Sequence, residues 1–99
     1  MLWQERFAES DEARLSYVSL GELLLREGRA QDAEHQFAAY LARPGGELTE
    51  EAMVGRAESL LRLGHKDASA TLWRELLREF PASVYAAEAR KKIVEADSP

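Results

Sequence analysis

Apolar residues recur at helical spacing along almost the whole chain, and no stretch alternates convincingly with period two. The first strong run, Leu15, Val18, Leu20, Leu23, Leu24 and Leu25, predicts a helix over about 11–27. It is apolar around much of its circumference, as expected of a helix packed between neighbours on two sides. Ala33, Phe37, Tyr40 and Leu41 predict a return helix over about 30–43, with Glu34, His35 and Arg43 toward solvent, broken by Pro44-Gly45-Gly46. Thr49 as N-cap, with Leu48 and Met53 spaced as a hydrophobic staple, starts a helix over about 50–63. Leu72, Trp73, Leu76 and Leu77 place the next over about 66–80, stopped at Phe80-Pro81. Ser83 caps a last helix, about 84–96, with Tyr85, Ala86, Ala89, Ile93 and Val94 on one face and Glu88, Arg90, Lys91, Lys92 and Glu95 on the other. Ahead of all these, residues 1–9 set Trp3 and Phe7 on one helical face.

The pattern repeats. Met53, Arg56, Ala57, Leu60 and Gly64 each lie 36 residues after Tyr17, Leu20, Gly21, Leu24 and Gly28. Trp3, Phe37 and Trp73 are separated by 34 and 36 residues, and Phe7, Leu41 and Leu77 repeat with them. Small residues at Gly21, Ala33 and Ala57 let helices approach closely, and Gly28 suits the left-handed conformation that ends a helix.

The string Tyr17-x2-Leu20-Gly21-x2-Leu24-x3-Gly28-x4-Ala33-x3-Phe37 resembles the tetratricopeptide repeat. The resemblance implies an all-α fold, a right-handed α-α superhelix of antiparallel helix hairpins, built as one domain over residues 1–99. Residues 1–9 would be the second helix of an incomplete repeat, 11–44 and 48–81 full repeats, and 83–96 a capping helix with a polar outer face. Two positions depart from the pattern. Arg56 replaces the usual leucine and calls for a solvent-reaching stem or a specific acidic partner, and Ser69 replaces the small alanine. The phrases Glu27-Gly28-Arg29-Ala30-Gln31-Asp32-Ala33, Leu76-Leu77-Arg78-Glu79-Phe80-Pro81 and Val84-Tyr85-Ala86-Ala87-Glu88-Ala89-Arg90 are similar to tetratricopeptide segments of bacterial cell-envelope proteins. Those include the Tol-Pal-associated factor, outer-membrane assembly lipoproteins and FecR-type regulators. The implied setting is the bacterial periplasm or envelope.

The resemblance also implies a function: a protein-interaction module or scaffold that takes a peptide or partner helix in its concave groove. Its groove positions map onto Leu15, Val18, Glu22, Leu25 and Arg26 in one repeat and Glu51, Val54, Glu58, Leu61 and Arg62 in the next. The lysine and asparagine of the chaperone-type carboxylate clamp are missing, since Val18, Val54, Glu22 and Glu58 stand there. An acidic C-terminal tail is therefore not the expected ligand; a segment with apolar anchors and mixed charges is. Leu15, Val18, Leu25 and Leu61 equally suit packing between helices. The alternative role is a structural spacer, or a homodimer formed through the aromatic edge at Trp3 and Phe7.

Composition narrows the rest. At 99 residues, 45% hydrophobic and 31% charged, the chain suits one modest domain. A net charge of −5 argues against a nucleic-acid partner, which needs a basic face, and against binding an anionic membrane surface. No apolar run approaches the roughly 20 residues of a spanning helix, and the N-terminus lacks the basic and apolar regions of a signal peptide. There is no cysteine, and His35 and His65 lack metal-ligand spacing. Gly45-Gly46 follows a helix rather than opening one, unlike a phosphate loop. Glu50-Glu51 at a helix start reads as a dipole partner. The aromatic set Trp3, Phe37 and Trp73 occupies equal repeat positions and reads as core. No catalytic residue, cofactor or metal is expected, and the chain does not read as an enzyme.

Overall fold

The computed structural model describes residues 11–97, all of the regular structure among them helical. Five helices follow in order: α1 (Asp11–Arg26), α2 (Ala30–Leu41), α3 (Thr49–Arg62), α4 (Lys66–Glu79) and α5 (Ala86–Asp97). Each packs on the next in the chain, and α1 also touches α3. The predicted helices lie within a few residues of these bounds. The segment 1–9, with Trp3 and Phe7, falls outside the described residues.

The two hairpin turns, α1–α2 and α3–α4, have the same hydrogen bonding. Gly28 N–H donates to the Leu25 carbonyl at 3.0 Å and Arg29 N–H to Leu24 at 2.8 Å. Thirty-six residues on, Gly64 donates to Leu61 at 3.0 Å and His65 to Leu60 at 2.8 Å. This pairing satisfies orphan carbonyls at a helix end and needs a left-handed residue. Gly28 and Gly64 supply it, with φ of 79° and 86°. Consecutive helices joined so tightly run antiparallel.

The core is continuous through both hairpins. Val18, Leu24, Leu25, Ala33, Phe37, Tyr40 and Ala52 form one cluster, and Met53, Ala57, Trp73, Leu76 and Ala89 a second. Leu41 packs against both. The Phe37 ring occupies the space between two helices. A Cβ built at Gly21 would come within 2.8 Å of its Cζ, and one at Gly55 would overlap it further. Gly21 on α1 and Gly55 on α3 therefore form the two walls of one aromatic slot.

Several details differ from expectation. Thr49 is the first residue of α3 rather than its cap, and its hydroxyl donates to the Gly46 carbonyl at 2.6 Å. The Leu48 N–H instead donates to the Tyr40 hydroxyl at 2.8 Å, so a side chain from α2 satisfies a donor that a local cap normally would. Glu34 is not free in solvent: its carboxylate accepts from Arg56 Nε at 2.8 Å, which supplies the acidic partner that the unusual arginine required. Ser69 keeps its place by donating to the Ala57 carbonyl at 2.7 Å, a bond alanine could not make. Among the described residues α1 is covered on the α2 and α3 side only, with Leu15, Leu20 and Leu23 exposed. Ser83 Oγ accepts from Tyr85 N–H at 3.1 Å in the turn leading into α5, which begins at Ala86 rather than at the expected 84.

Candidate functional site

The residues expected to line a groove divide between core and surface. In α1, Val18 is 3% exposed and belongs to the first core cluster together with Leu25, so neither offers a free face. Leu15, Glu22 and Arg26 are exposed. In α3, Val54 packs partly against the second cluster, Glu51 and Glu58 are half-buried, and Leu61 is exposed. Arg62 has a structural bond: its guanidinium donates to the Leu25 carbonyl at 2.8 Å. A cation there meets the negative end of the α1 dipole and ties α3 to α1. Trp3 and Phe7 lie outside the described residues.

Helical spacing puts Glu51 and Glu58 on one stripe of α3 and Glu22 on the matching stripe of α1. Tyr85, just ahead of α5, packs against the second core cluster and lines a groove with Glu50 and Glu51 of α3. The Tyr85 hydroxyl is held above its ordinary pKa first by burial and then by the carboxylates of Glu51, Glu22, Glu50 and Glu88. Those carboxylates come from α1, α3 and α5, three helices whose charges act on one tyrosine. Glu58 responds similarly. Burial raises its pKa, Glu88 raises it further, and Lys92 and Arg62 partly offset both.

The result is a set of neighbouring carboxylates with Arg26 exposed on α1, while the exposed Leu15 and Leu61 line separate cavities, Leu15 beside Arg14 and Tyr40 and Leu61 beside Trp73 and Lys92. Such a surface attracts cationic side chains and gives them carboxylate partners. Sequence reasoning missed Glu50, Tyr85 and Glu88 as part of it. Glu50 read as a dipole partner of its own helix and α5 as an end cap, and nothing in the local pattern indicates that Tyr85 lies beside Glu50 and Glu51.

A different set of polar contacts closes the opposite edge of α2. The Arg14 guanidinium is buried, donates to the carbonyls of Tyr40 at 2.9 Å and Arg43 at 2.6 Å, and lies 4.5 Å from the Tyr40 ring centroid. It satisfies the C-terminal end of α2 with a charge of the favourable sign.

Among the described residues no group of three or more His, Asp or Glu could hold a metal ion. No described helix is long and apolar enough to cross a membrane. The chain matches none of the family models, curated proteins or solved structures with which it was compared.

Proposed function

We propose that the chain is a protein-interaction module of the tetratricopeptide type, a right-handed superhelix of hairpins that binds a peptide segment in the groove beside Tyr85. The observation that carries this reading is the open groove lined by Glu50 and Glu51 of α3 and by the segment from Phe80 to Tyr85, whose tyrosine also responds to the charges of Glu22 and Glu88. The ligand is a protein segment carrying lysine or arginine. Support for a tetratricopeptide architecture comes from the repeated glycine-ended hairpins and from the equal placement of Phe37 and Trp73. The likeness of several phrases to envelope proteins makes the bacterial periplasm the proposed setting. A spacer without a ligand is the competing reading, favoured by the loss of Val18 and Leu25 to the core.

Selection of random displayed peptides on the full chain tests the proposal. Recovered binders should be rich in lysine and arginine, and should weaken as salt rises, since exposed charges are screened over about 8 Å at physiological ionic strength. Binding should vanish in a Glu22→Lys, Glu51→Lys variant whose helical signal and melting midpoint are unchanged. A folded double variant that binds at full strength, or a selection that yields no salt-sensitive binder, refutes the assignment.

A further inference from the structure

The second core cluster holds a polar group that the fold leaves unsatisfied. Trp73 is 1% exposed, and its indole Nε1–H is buried without a hydrogen-bond acceptor. Buried donors in native proteins are paired with protein, water or ligand, so this one calls for an acceptor from outside the chain. Trp73 borders a cavity of about 50 Å³ formed by residues of α3, α4 and α5. One water needs roughly 10–15 Å³ of such space, which leaves room for a small molecule and excludes a large one.

The rest of the lining is cationic and aliphatic. Lys66, the first residue of α4, and Lys92 of α5 both border the cavity. Among the described residues neither lysine makes a salt bridge, and Lys92 acts on Glu58 only through its field. Glu95 is the one carboxylate in the described lining, so two ammonium groups face one acid. Ser69 adds no donor, because its hydroxyl proton is committed to the Ala57 carbonyl. The first turn of α4 lacks a side-chain cap and presents the positive end of its dipole here, while Asp67 of that turn does not line the cavity. Leu61, Ala70 and Ala96 supply the apolar wall.

We propose that this cavity binds a free monocarboxylate of two or three carbons. Its carboxylate accepts from the Trp73 indole N–H and faces the ammonium groups of Lys66 and Lys92, while its alkyl end lies against Leu61, Ala70 and Ala96. The charge balance sets the class: two lysines less Glu95 leave one positive charge, which matches one carboxylate and not a dicarboxylate. Hydrogen bonds to an ionised acceptor are shorter and stronger than neutral ones, so a carboxylate satisfies the buried donor better than water does. The site shares no residue with the groove beside Tyr85 and stands whether or not that groove takes a peptide.

Titration of the labelled wild-type chain tests this through the assigned Trp73 indole N–H resonance. Sodium acetate and sodium propionate, added at constant ionic strength, should each move that resonance downfield to saturation at low millimolar concentration. Acetamide, equal in size and uncharged, should leave it in place, and so should sodium chloride. The thermal midpoint should rise with acetate beyond its change in matched chloride, as expected of a ligand that binds the folded state alone. Lys66→Gln, Lys92→Gln, with unchanged helical signal, should weaken acetate binding at least several-fold. No saturable shift with either carboxylate overturns the proposal and leaves water as the occupant. An equal response to acetamide or chloride overturns the carboxylate assignment, and undiminished binding by the folded double variant does the same.

Discussion

Phe37 fills the volume that a side chain at Gly55 would need, and Gly55 lies on the helix after the hairpin to which Phe37 belongs. The contact joins the two hairpins. Gly21 provides the other wall, so a single ring is enclosed by glycines from α1 and α3. Gly55→Ala adds a methyl group to a filled slot, and overpacking of this kind costs about 1–3 kcal/mol. The better helix propensity of alanine offsets up to about 1 kcal/mol of that. Chemical denaturation should therefore show a net loss of stability. In a Phe37→Leu background the same change should cost much less, and a double-mutant cycle without coupling would show that the ring is not the obstacle.

Trp73 is the largest side chain among those fully buried and holds α3, α4 and α5 together through Ala57, Leu76 and Ala89. Its replacement by alanine should cost about 3–5 kcal/mol, the usual range for a buried aromatic. Against the roughly 5–15 kcal/mol typical of domains, this removes most of the margin. A thermal midpoint near that of the wild type would contradict the packing described above.

Arg14 is buried and bonded to two carbonyls that close the end of α2. Hydrogen bonds to charged groups contribute about 1.5–3 kcal/mol, so Arg14→Ala should destabilise by about 2–3 kcal/mol. Arg14→Lys should recover only a minor part, because an ammonium group lacks the planar fork that spans both oxygens and stacks on the Tyr40 ring. Urea titrations of the three proteins give the comparison, and a fully functional lysine would show that charge alone matters.

Glu58 has its pKa raised in the folded chain, by burial first and by Glu88 second. For a group raised by folding, the linked stability is fully present below the unfolded pKa and is lost as pH rises through the folded value. Wild-type stability should accordingly carry a downward component from the ordinary carboxylate range upward. Glu58→Gln removes that component, so its stability relative to wild type should increase between mildly acidic and neutral pH. Parallel melting curves across that interval provide the check, and a constant difference would mean that Glu58 is not desolvated. Glu88→Gln should reduce the effect without abolishing it, since burial is the larger cause.

Helix positions, turn chemistry and the large core residues were legible along the chain, because each rests on local rules. A 3.6-residue apolar period, a glycine closing each first helix and a proline after α4 act within a few residues of themselves. Phe37, Tyr40, Trp73 and Leu76 are core for the same reason: their apolar stripes have one side to bury. Other assignments depended on residues far apart in the chain. Arg56 looked like an exception until Glu34 was opposite it, and Glu34 looked solvated until the α2–α3 contact enclosed it. Gly55 has no local role in a helix and becomes necessary only when the ring of Phe37 arrives beside it. Val18 and Leu25 share a helical face with Glu22 and Arg26, and spacing alone cannot tell which edge of that face a neighbour covers. The surroundings of Tyr85 are likewise tertiary, since the carboxylates that act on it lie on three helices far apart in the chain. Local periodicity sets which residues must be buried somewhere, while the partner of each buried or charged group depends on how hairpins stack, and stacking is decided by contacts between residues that no short-range pattern links.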